Sequence, residues 1–118
     1  MLKDWPQLAG DLSSAIKELR GGIPEVMKAF SQLDAALSKN EALDVKTKEL
    51  IALALGVAAR CDGCLAFHAR AAVKYGATRA EVMEGVGMAI YMGGGPSMIY
   101  AAQAIEAYDQ FAAKAASA

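Results

Sequence analysis

Residues 44–68 read DVKTKELIALALGVAARCDGCLAFH, and these 25 residues contain the clearest helix signals of the chain. Asp44 is a favourable N-cap for a helix over Val45–Ala59, because its carboxylate can accept a hydrogen bond from a first-turn N–H group. The second half of that helix is apolar on every side, which predicts a central and buried position. A further helix is predicted over about Cys61–Tyr75. The stretch therefore predicts two consecutive helices that carry the core and, on the second one, both cysteines.

Start and stop signals outside this stretch predict four more helices. Asp4 can cap the first, prolines suit the first turns of two others, and Thr78 with Glu81 has the spacing of a capping box. The glycines, with Gly76 as a left-handed terminator, suit helix ends. The four predicted ranges are about 5–20, Pro24–Lys39 with Asn40 as its stop, 79–92 and Pro96–Lys114, with a loop over Gly93–Gly95. Alternating strand patterns are nearly absent, so the predicted fold class is all-α with about six helices.

Composition narrows the class of protein. The 118 residues fit one domain spanning 1–118, and 55% hydrophobic against 21% charged residues excludes a disordered chain. Twelve basic and 13 acidic residues, without a long basic run, argue against nucleic-acid binding. The apolar share is high for so small a monomer. We therefore expect part of the surface to be covered in a homo-oligomer.

An uncharged stretch from Gly85 to Ile105 has the length of a membrane span. The glycines at 93–95 and Pro96 would break a helix in its middle, so we interpret it as two buried half-segments, partly covered between subunits. The first ten residues lack the long apolar run of a signal peptide. The sequence predicts no membrane segment and a cytoplasmic location.

The two cysteines and the single histidine lie within eight residues. Cys61, Cys64 and His68 are spaced three and then four apart, which places them on one face of a helix. A disulfide within Cys-x-x-Cys closes too small a loop to be a strong staple and is better suited to redox cycling. The positive end of the helix favours a thiolate, and His68 can exchange a proton with Cys64. The stripe predicts a redox-active thiol pair.

Glu49 is the candidate partner for His68. It precedes the apolar run Leu50–Ala59, where an unpaired carboxylate would be costly. If the helices over Val45–Ala59 and Cys61–Tyr75 pack antiparallel, Glu49 lies beside the second turn of the latter. Its carboxylate could then hold the second ring nitrogen of His68.

Two other interpretations of these residues stay open, and a third is improbable. The cysteines and histidine could be ordinary core residues. They could bind zinc with Glu49 or water as the fourth ligand, although no second pair of ligands follows in the sequence. A thioredoxin-like motif would need a strand before its helix, where this sequence predicts a helix. We predict no metal and no bound cofactor.

The spacing Glu49, eleven residues, Cys61-x-x-Cys64, three residues, His68 resembles the signature of the alkylhydroperoxidase D-like branch of the carboxymuconolactone decarboxylase family. The flanking segments KTKELIALA (46–54) and AVKYGATRAEV (72–82) agree with it, and the resemblance covers about residues 24–105. It implies an all-α helical bundle, assembled as a trimer or a hexamer.

The resemblance also implies roles for the four residues. Cys64 would react with a hydroperoxide to form a sulfenic acid, and Cys61 would supply a proton and then resolve it as a disulfide. His68 would activate Cys64, and Glu49 would orient His68 or relay its protons. A lipoyl-bearing or thioredoxin-like partner would reduce the disulfide. The predicted activity is that of an alkylhydroperoxidase-like, peroxiredoxin-type antioxidant enzyme.

One position departs from the family pattern. The peroxidases of the family carry a histidine directly before the second cysteine, where this chain has Gly63. One proton-relay group is therefore missing. General disulfide exchange, a lactone decarboxylase-like reaction and a redox sensor without turnover remain the alternatives, although decarboxylase members usually lack the cysteine pair.

Overall fold

A computed structural model of the protein describes residues 1–118 and contains six α-helices and no strand, which confirms the predicted fold class. None of the helices combines the length and the apolar character needed to cross a membrane. In chain order the helices are α1 (Trp5–Gly22), α2 (Pro24–Leu37), α3 (Val45–Ala59), α4 (Asp62–Lys74), α5 (Arg79–Gly93) and α6 (Gly95–Ala116).

Local capping explains where most of the helices begin. The Asp4 carboxylate accepts from the Gln7 N–H at the start of α1, and Asp44 accepts from the Thr47 N–H, 2.7 Å away, at the start of α3. At α5 the Thr78 hydroxyl accepts from the Glu81 N–H while the Glu81 carboxylate accepts from the Thr78 N–H, the complete capping box. These side chains satisfy N–H groups that a helix leaves unpaired.

Several predicted boundaries differ from the structure. Helix α1 runs to Gly22, two residues past its predicted end, and α6 runs to Ala116, two residues past Lys114. Helix α2 ends at Leu37 and not at Lys39, because the Asn40 side chain accepts from the Val45 N–H, 2.8 Å away, and so belongs to the turn into α3. The predicted loop over Gly93–Gly95 is a single residue. Gly94 has φ 73° and ψ −150°, a conformation open to glycine, and this allows α6 to begin immediately after α5.

The core lies among α3, α4, α5 and α6, with α1 contributing Trp5. The fully buried residues include Leu53 and Val57 on α3, Leu65 on α4 and Val82 on α5. Lys46 on α3 also reaches Glu81 on α5, with 2.9 Å between Nζ and Oε2. The hydrogen bond from the Thr78 N–H and the one from Lys46 hold the pKa of the Glu81 carboxyl below its usual value.

Helices α3 and α4 run antiparallel. Glu49 near the start of α3 meets His68 in the second half of α4, whereas Gly56 near the end of α3 meets Cys64 in the first turn of α4. Rising numbers on one helix therefore pair with falling numbers on the other. This packing places Glu49 next to the histidine.

A substantial apolar surface remains uncovered in the single chain. In the second half of α3 Leu55 is 64% exposed, so the prediction that this half is central and buried is wrong on that face of the single chain. Helix α2 packs mainly on α1 and has no buried residue. The larger exposed apolar side chains of α2, α5 and α6 are Val26, Phe30, Leu33, Leu37, Met83, Met88, Tyr91, Met92, Met98 and Ile99.

Candidate active site

The cysteine pair lies at the start of α4. Cys61 is the N-cap residue, and its sulfur accepts a hydrogen bond from the Cys64 N–H at 3.2 Å. The two sulfurs are joined in a disulfide, so the structure shows the oxidised pair. A helix N-terminus carries partial positive charge and free N–H groups, which stabilise a thiolate once the pair is reduced.

Cys64 is packed closely against α3. A Cβ atom added to Gly56 would lie 3.0 Å from the Cβ of Cys64, so the two helices approach at a position where only a hydrogen atom fits well. Both cysteines are half-buried, and Leu65 and Ala66 beside them are fully buried. The backbone around Cys64 is therefore fixed by the core.

Glu49 and His68 form the second part of the site. The Nδ1 atom of His68 lies 2.7 Å from Oε2 of Glu49, and the two side chains are 36% and 18% exposed. An ionised carboxylate can only accept a hydrogen bond, so Nδ1 carries the proton when Glu49 is charged. In the neutral imidazole Nε2 is then the basic nitrogen, and it makes no hydrogen bond within the chain. His68 is therefore oriented to accept a proton through Nε2.

Two cavities meet at this pair. The first has a volume of about 350 Å³, and the second, on the side of α1, about 510 Å³. Asp34, Glu49 and His68 line both of them. The first is walled mainly by the apolar side chains Leu37, Leu43, Val45, Ile51, Ala52 and Leu55, and the second includes Arg20 and Arg70.

The four residues singled out in the sequence fall into two adjacent groups. The structure joins Cys61 to Cys64 and Glu49 to His68, and it places both pairs along the contact between α3 and α4. The cysteines line neither of the two cavities. No cluster of three or more His, Cys, Asp or Glu side chains is arranged to hold a metal ion.

Helix α1 and the segment before it make contacts that the sequence patterns did not indicate. Leu12 lies over Gly63, since an added Cβ there would be 2.9 Å from the Leu12 Cδ1 atom. The Lys3 ammonium donates to the Asp62 carboxylate, between the two cysteines. No short-range sequence pattern predicts these contacts, because both depend on where α1 and the segment before it pack. Gly63, where the resemblance leads us to expect a histidine, is thus covered by an apolar side chain.

Residues 24–107 match the model of the carboxymuconolactone decarboxylase family. A Legionella pneumophila protein of that family, solved in its apo form, is 49% identical, with a TM-score of 0.88 over 92% of this chain and 96% of the other. A Thermotoga maritima member, for which a part in the antioxidative response has been suggested, is 30% identical, with a TM-score of 0.73 over 85% and 88% of the two chains. An uncharacterised protein of Haemophilus influenzae is 39% identical over 92% of this chain and 96% of its own length.

Proposed function

Because the chain belongs to the carboxymuconolactone decarboxylase family, we propose that it is a thiol-dependent hydroperoxide reductase. The observation that carries the proposal is the arrangement along α4. A Cys61–Cys64 pair at the helix start is followed one turn later by His68, whose ring is held by Glu49. A redox pair beside an oriented base is what thiol peroxidase chemistry requires.

The reaction consumes one hydroperoxide and two thiols. The Cys64 thiolate attacks the terminal peroxide oxygen, the O–O bond breaks, and the alkoxide leaves as an alcohol after taking a proton. Cys64 is then a sulfenic acid. The Cys61 thiolate attacks its sulfur, hydroxide leaves as water after protonation, and the Cys61–Cys64 disulfide forms. An external dithiol returns two electrons and two protons.

His68 acts in this scheme as the proton acceptor for Cys64. With Nδ1 engaged by Glu49, Nε2 takes the thiol proton and delivers it to the leaving alkoxide. The Glu49 carboxylate stabilises the imidazolium that exists between these two transfers. Glu49 therefore acts as a positioning residue, whereas Cys64, Cys61 and His68 are the catalytic residues.

The apolar cavity beside Glu49 and His68 supports an organic substrate. The cavity of about 350 Å³ beside Glu49 and His68 is walled by leucine, isoleucine, valine and alanine side chains, which suits an alkyl group. We propose an alkyl hydroperoxide as substrate and a lipoyl-bearing or thioredoxin-like protein as reductant. Because reducing partners of this kind keep thiols reduced in the cytosol, we also propose a cytoplasmic location.

Trapping the sulfenic acid tests the assignment of the cysteines. In Cys61→Ser, one equivalent of cumene hydroperoxide followed by dimedone should label Cys64 alone, as read by peptide mass spectrometry. Cys64→Ser should react slowly and give no label at Cys61. A label on Cys61 in the Cys64→Ser protein, with none on Cys64 in the reverse variant, would exchange the two roles.

We further propose that the protein assembles as a homo-oligomer, a trimer or a hexamer. Helix α2 exposes Phe30 by 66%, and Tyr91 and Met92 on α5 are 79% and 78% exposed. Large apolar side chains that are exposed in the single chain are typical of surfaces that a second subunit covers. Sedimentation equilibrium should give a mass several times 12.3 kDa, and a species of 12.3 kDa at micromolar concentration would contradict the assembly.

One observation favours a second candidate. Glu49 and His68 line both cavities, whereas the cysteines line neither, so an acid–base reaction such as decarboxylation of a carboxylated lactone could use the first pair alone. The double variant Cys61→Ser/Cys64→Ser separates the two functions. It should lose all hydroperoxide reduction, and a lactone decarboxylase activity that survives in it would establish the second candidate.

A further inference from the structure

A lysine from outside the Cys61–Cys64 motif forms an ion pair with a residue inside it. The Lys3 ammonium contacts the carboxylate of Asp62, the one acidic side chain between Cys61 and Cys64. The two side chains are 39% and 35% exposed. Asp62 is also the first residue of α4, so its charge lies in the same helical turn as the thiols.

The backbone of Lys3 is held in place on both sides. Its N–H donates to Glu106 Oε1 at 2.9 Å, and its carbonyl accepts from Gln110 Nε2 at 2.8 Å. The neighbouring Trp5 is fully buried and donates its indole N–H to the same Glu106 oxygen. An ion pair between two free surface side chains contributes little, mainly because ordering both costs entropy. Here α6 has already fixed the backbone that carries the lysine.

Helix α1 is also in direct contact with the motif. Leu12 packs on Gly63, so that α1 lies across the first turn of α4. Lys3 and Leu12 both lie outside residues 24–107, the part of the chain matched by the family model.

The charge of Asp62 affects the reduced pair more than the oxidised one. A reduced Cys-x-x-Cys pair at a helix N-terminus holds part of its thiols as thiolate, and a neighbouring carboxylate disfavours that charge. A disulfide carries no charge, so the neighbouring carboxylate does not destabilise it in this way. The other charged groups near this turn are the exposed Arg60 and the Glu49–His68 pair. A cation paired with Asp62 therefore favours the reduced state.

We propose that Lys3 is a positioning residue that sets the redox potential of the Cys61–Cys64 pair by pairing with Asp62. The inference rests on the redox cycling in the proposed function, and it requires neither a peroxide nor a particular reductant. Without Lys3 the unpaired carboxylate destabilises the thiolate, so the disulfide becomes harder to reduce. Without Asp62 the thiolate is no longer destabilised, so the disulfide becomes easier to reduce.

The test is equilibration with a dithiothreitol redox buffer, in which the pair and the buffer exchange two electrons and two protons. The fraction of reduced Cys61–Cys64 is read by alkylation and mass spectrometry. Lys3→Met should lower the equilibrium constant for reduction about threefold, or about 14 mV at 29.6 mV per tenfold change. Lys3→Arg should keep the wild-type value, and Asp62→Asn should raise the constant.

Two comparisons make the result specific. Lys17→Met removes one positive charge from an exposed position on α1 that forms no ion pair. It should leave the redox potential of the Cys61–Cys64 pair unchanged. In the Asp62→Asn background, Lys3→Met should have less than half of its single-variant effect, because the partner is already absent. Circular dichroism of each variant controls for folding.

The outcomes separate this inference from the proposed function. If the wild-type pair cycles reversibly and Lys3→Met matches it, or if Lys17→Met shifts the potential equally, the role of Lys3 is wrong while the thiol chemistry stands. If the wild-type pair cannot be reduced and reoxidised in the buffer, the proposed function fails and this inference fails with it.

Discussion

Glu49 on α3 holds Nδ1 of His68 on α4 at 2.7 Å, across the contact between the two helices that carry the site. The cysteine pair and the Glu49 carboxylate meet the same helix at different points along its length. The disulfide lies at the start of α4, and Glu49 reaches His68 in the middle of that helix. The antiparallel packing of α3 and α4 thus brings the disulfide and the Glu49–His68 pair together along one helix–helix contact.

The first prediction concerns this pair. In the Cys61→Ser background, His68→Gln should slow the alkylation of Cys64 by iodoacetamide near pH 7. In the wild-type background, the same substitution should lower peroxidase turnover by about 10²- to 10⁴-fold, the usual contribution of a general base. Glu49→Gln should lower turnover less, by about tenfold, because the imidazole remains but loses the charge that stabilises its protonated form. Stopped assays over pH 6–9 measure both effects.

Glu84→Gln is the matched control for Glu49→Gln. Glu84 lies on α5, is exposed and forms no ion pair, so its loss should leave turnover unchanged. If the alkylation rate of Cys64 is the same with and without His68, the histidine takes no part in activating the thiol.

A second prediction tests the close approach of α3 and α4. Gly56→Ala places a methyl group 3.0 Å from the Cβ of Cys64, and neither atom can rotate away because each is bonded to a helix backbone. Overpacking of this kind costs about 1–3 kcal/mol, against a gain of about 1 kcal/mol in helix propensity. We expect a lower midpoint of urea unfolding at fixed protein concentration.

Gly10→Ala is the reference for that measurement. A Cβ at Gly10, in the interior of α1, would meet no atom within 4 Å, so the same substitution should stabilise the protein by up to about 1 kcal/mol. Equal unfolding midpoints for the two variants would show that the helices do not approach as closely as described.

A third prediction concerns acid and the N-terminal segment. Burial raises the pKa of Glu106, but hydrogen bonds from the Leu2 and Lys3 N–H groups and from Trp5 outweigh it, so the pKa lies below 4.5. A lowered pKa means that the contribution of Glu106 to stability is complete above about pH 4.5 and is lost as the pH falls through the lower native value. Acid should therefore release the segment that carries Lys3.

The fluorescence of Trp5, the single tryptophan of the chain, reports this release. Its emission should shift to longer wavelength as the pH falls below about 4.5, and Glu106→Gln should remove that step because glutamine does not titrate. A step of the same size and midpoint in Glu106→Gln would assign it to another carboxyl group.

The parts of the fold that could be predicted are those fixed by local chemistry. Asp44, Thr78 and Gly76 mark helix ends through contacts within a few residues, and the structure has α3, α5 and the end of α4 at those positions. The neighbourhood of Glu49 and His68 was predictable as well. The prediction that they lie close together needed only the assumption that two consecutive helices pack antiparallel.

What could not be predicted depends on long-range packing. Lys3 meets Asp62 and Leu12 meets Gly63 because α1 crosses the start of α4, and no periodicity in the sequence encodes that crossing. The exposure of Leu55 at 64% has a similar origin. An apolar side chain has the same sequence pattern whether a helix of its own chain or of a second copy covers it.

The measurement that tests the account most directly is the number of hydroperoxide molecules consumed per subunit. Wild-type protein with excess cumene hydroperoxide should be assayed with dihydrolipoamide and, separately, with a reduced thioredoxin. We predict many equivalents consumed per Cys61–Cys64 pair with at least one reductant, and none in Cys64→Ser. Consumption that stops at one equivalent with both reductants would contradict it and would identify the pair as a sensor without turnover.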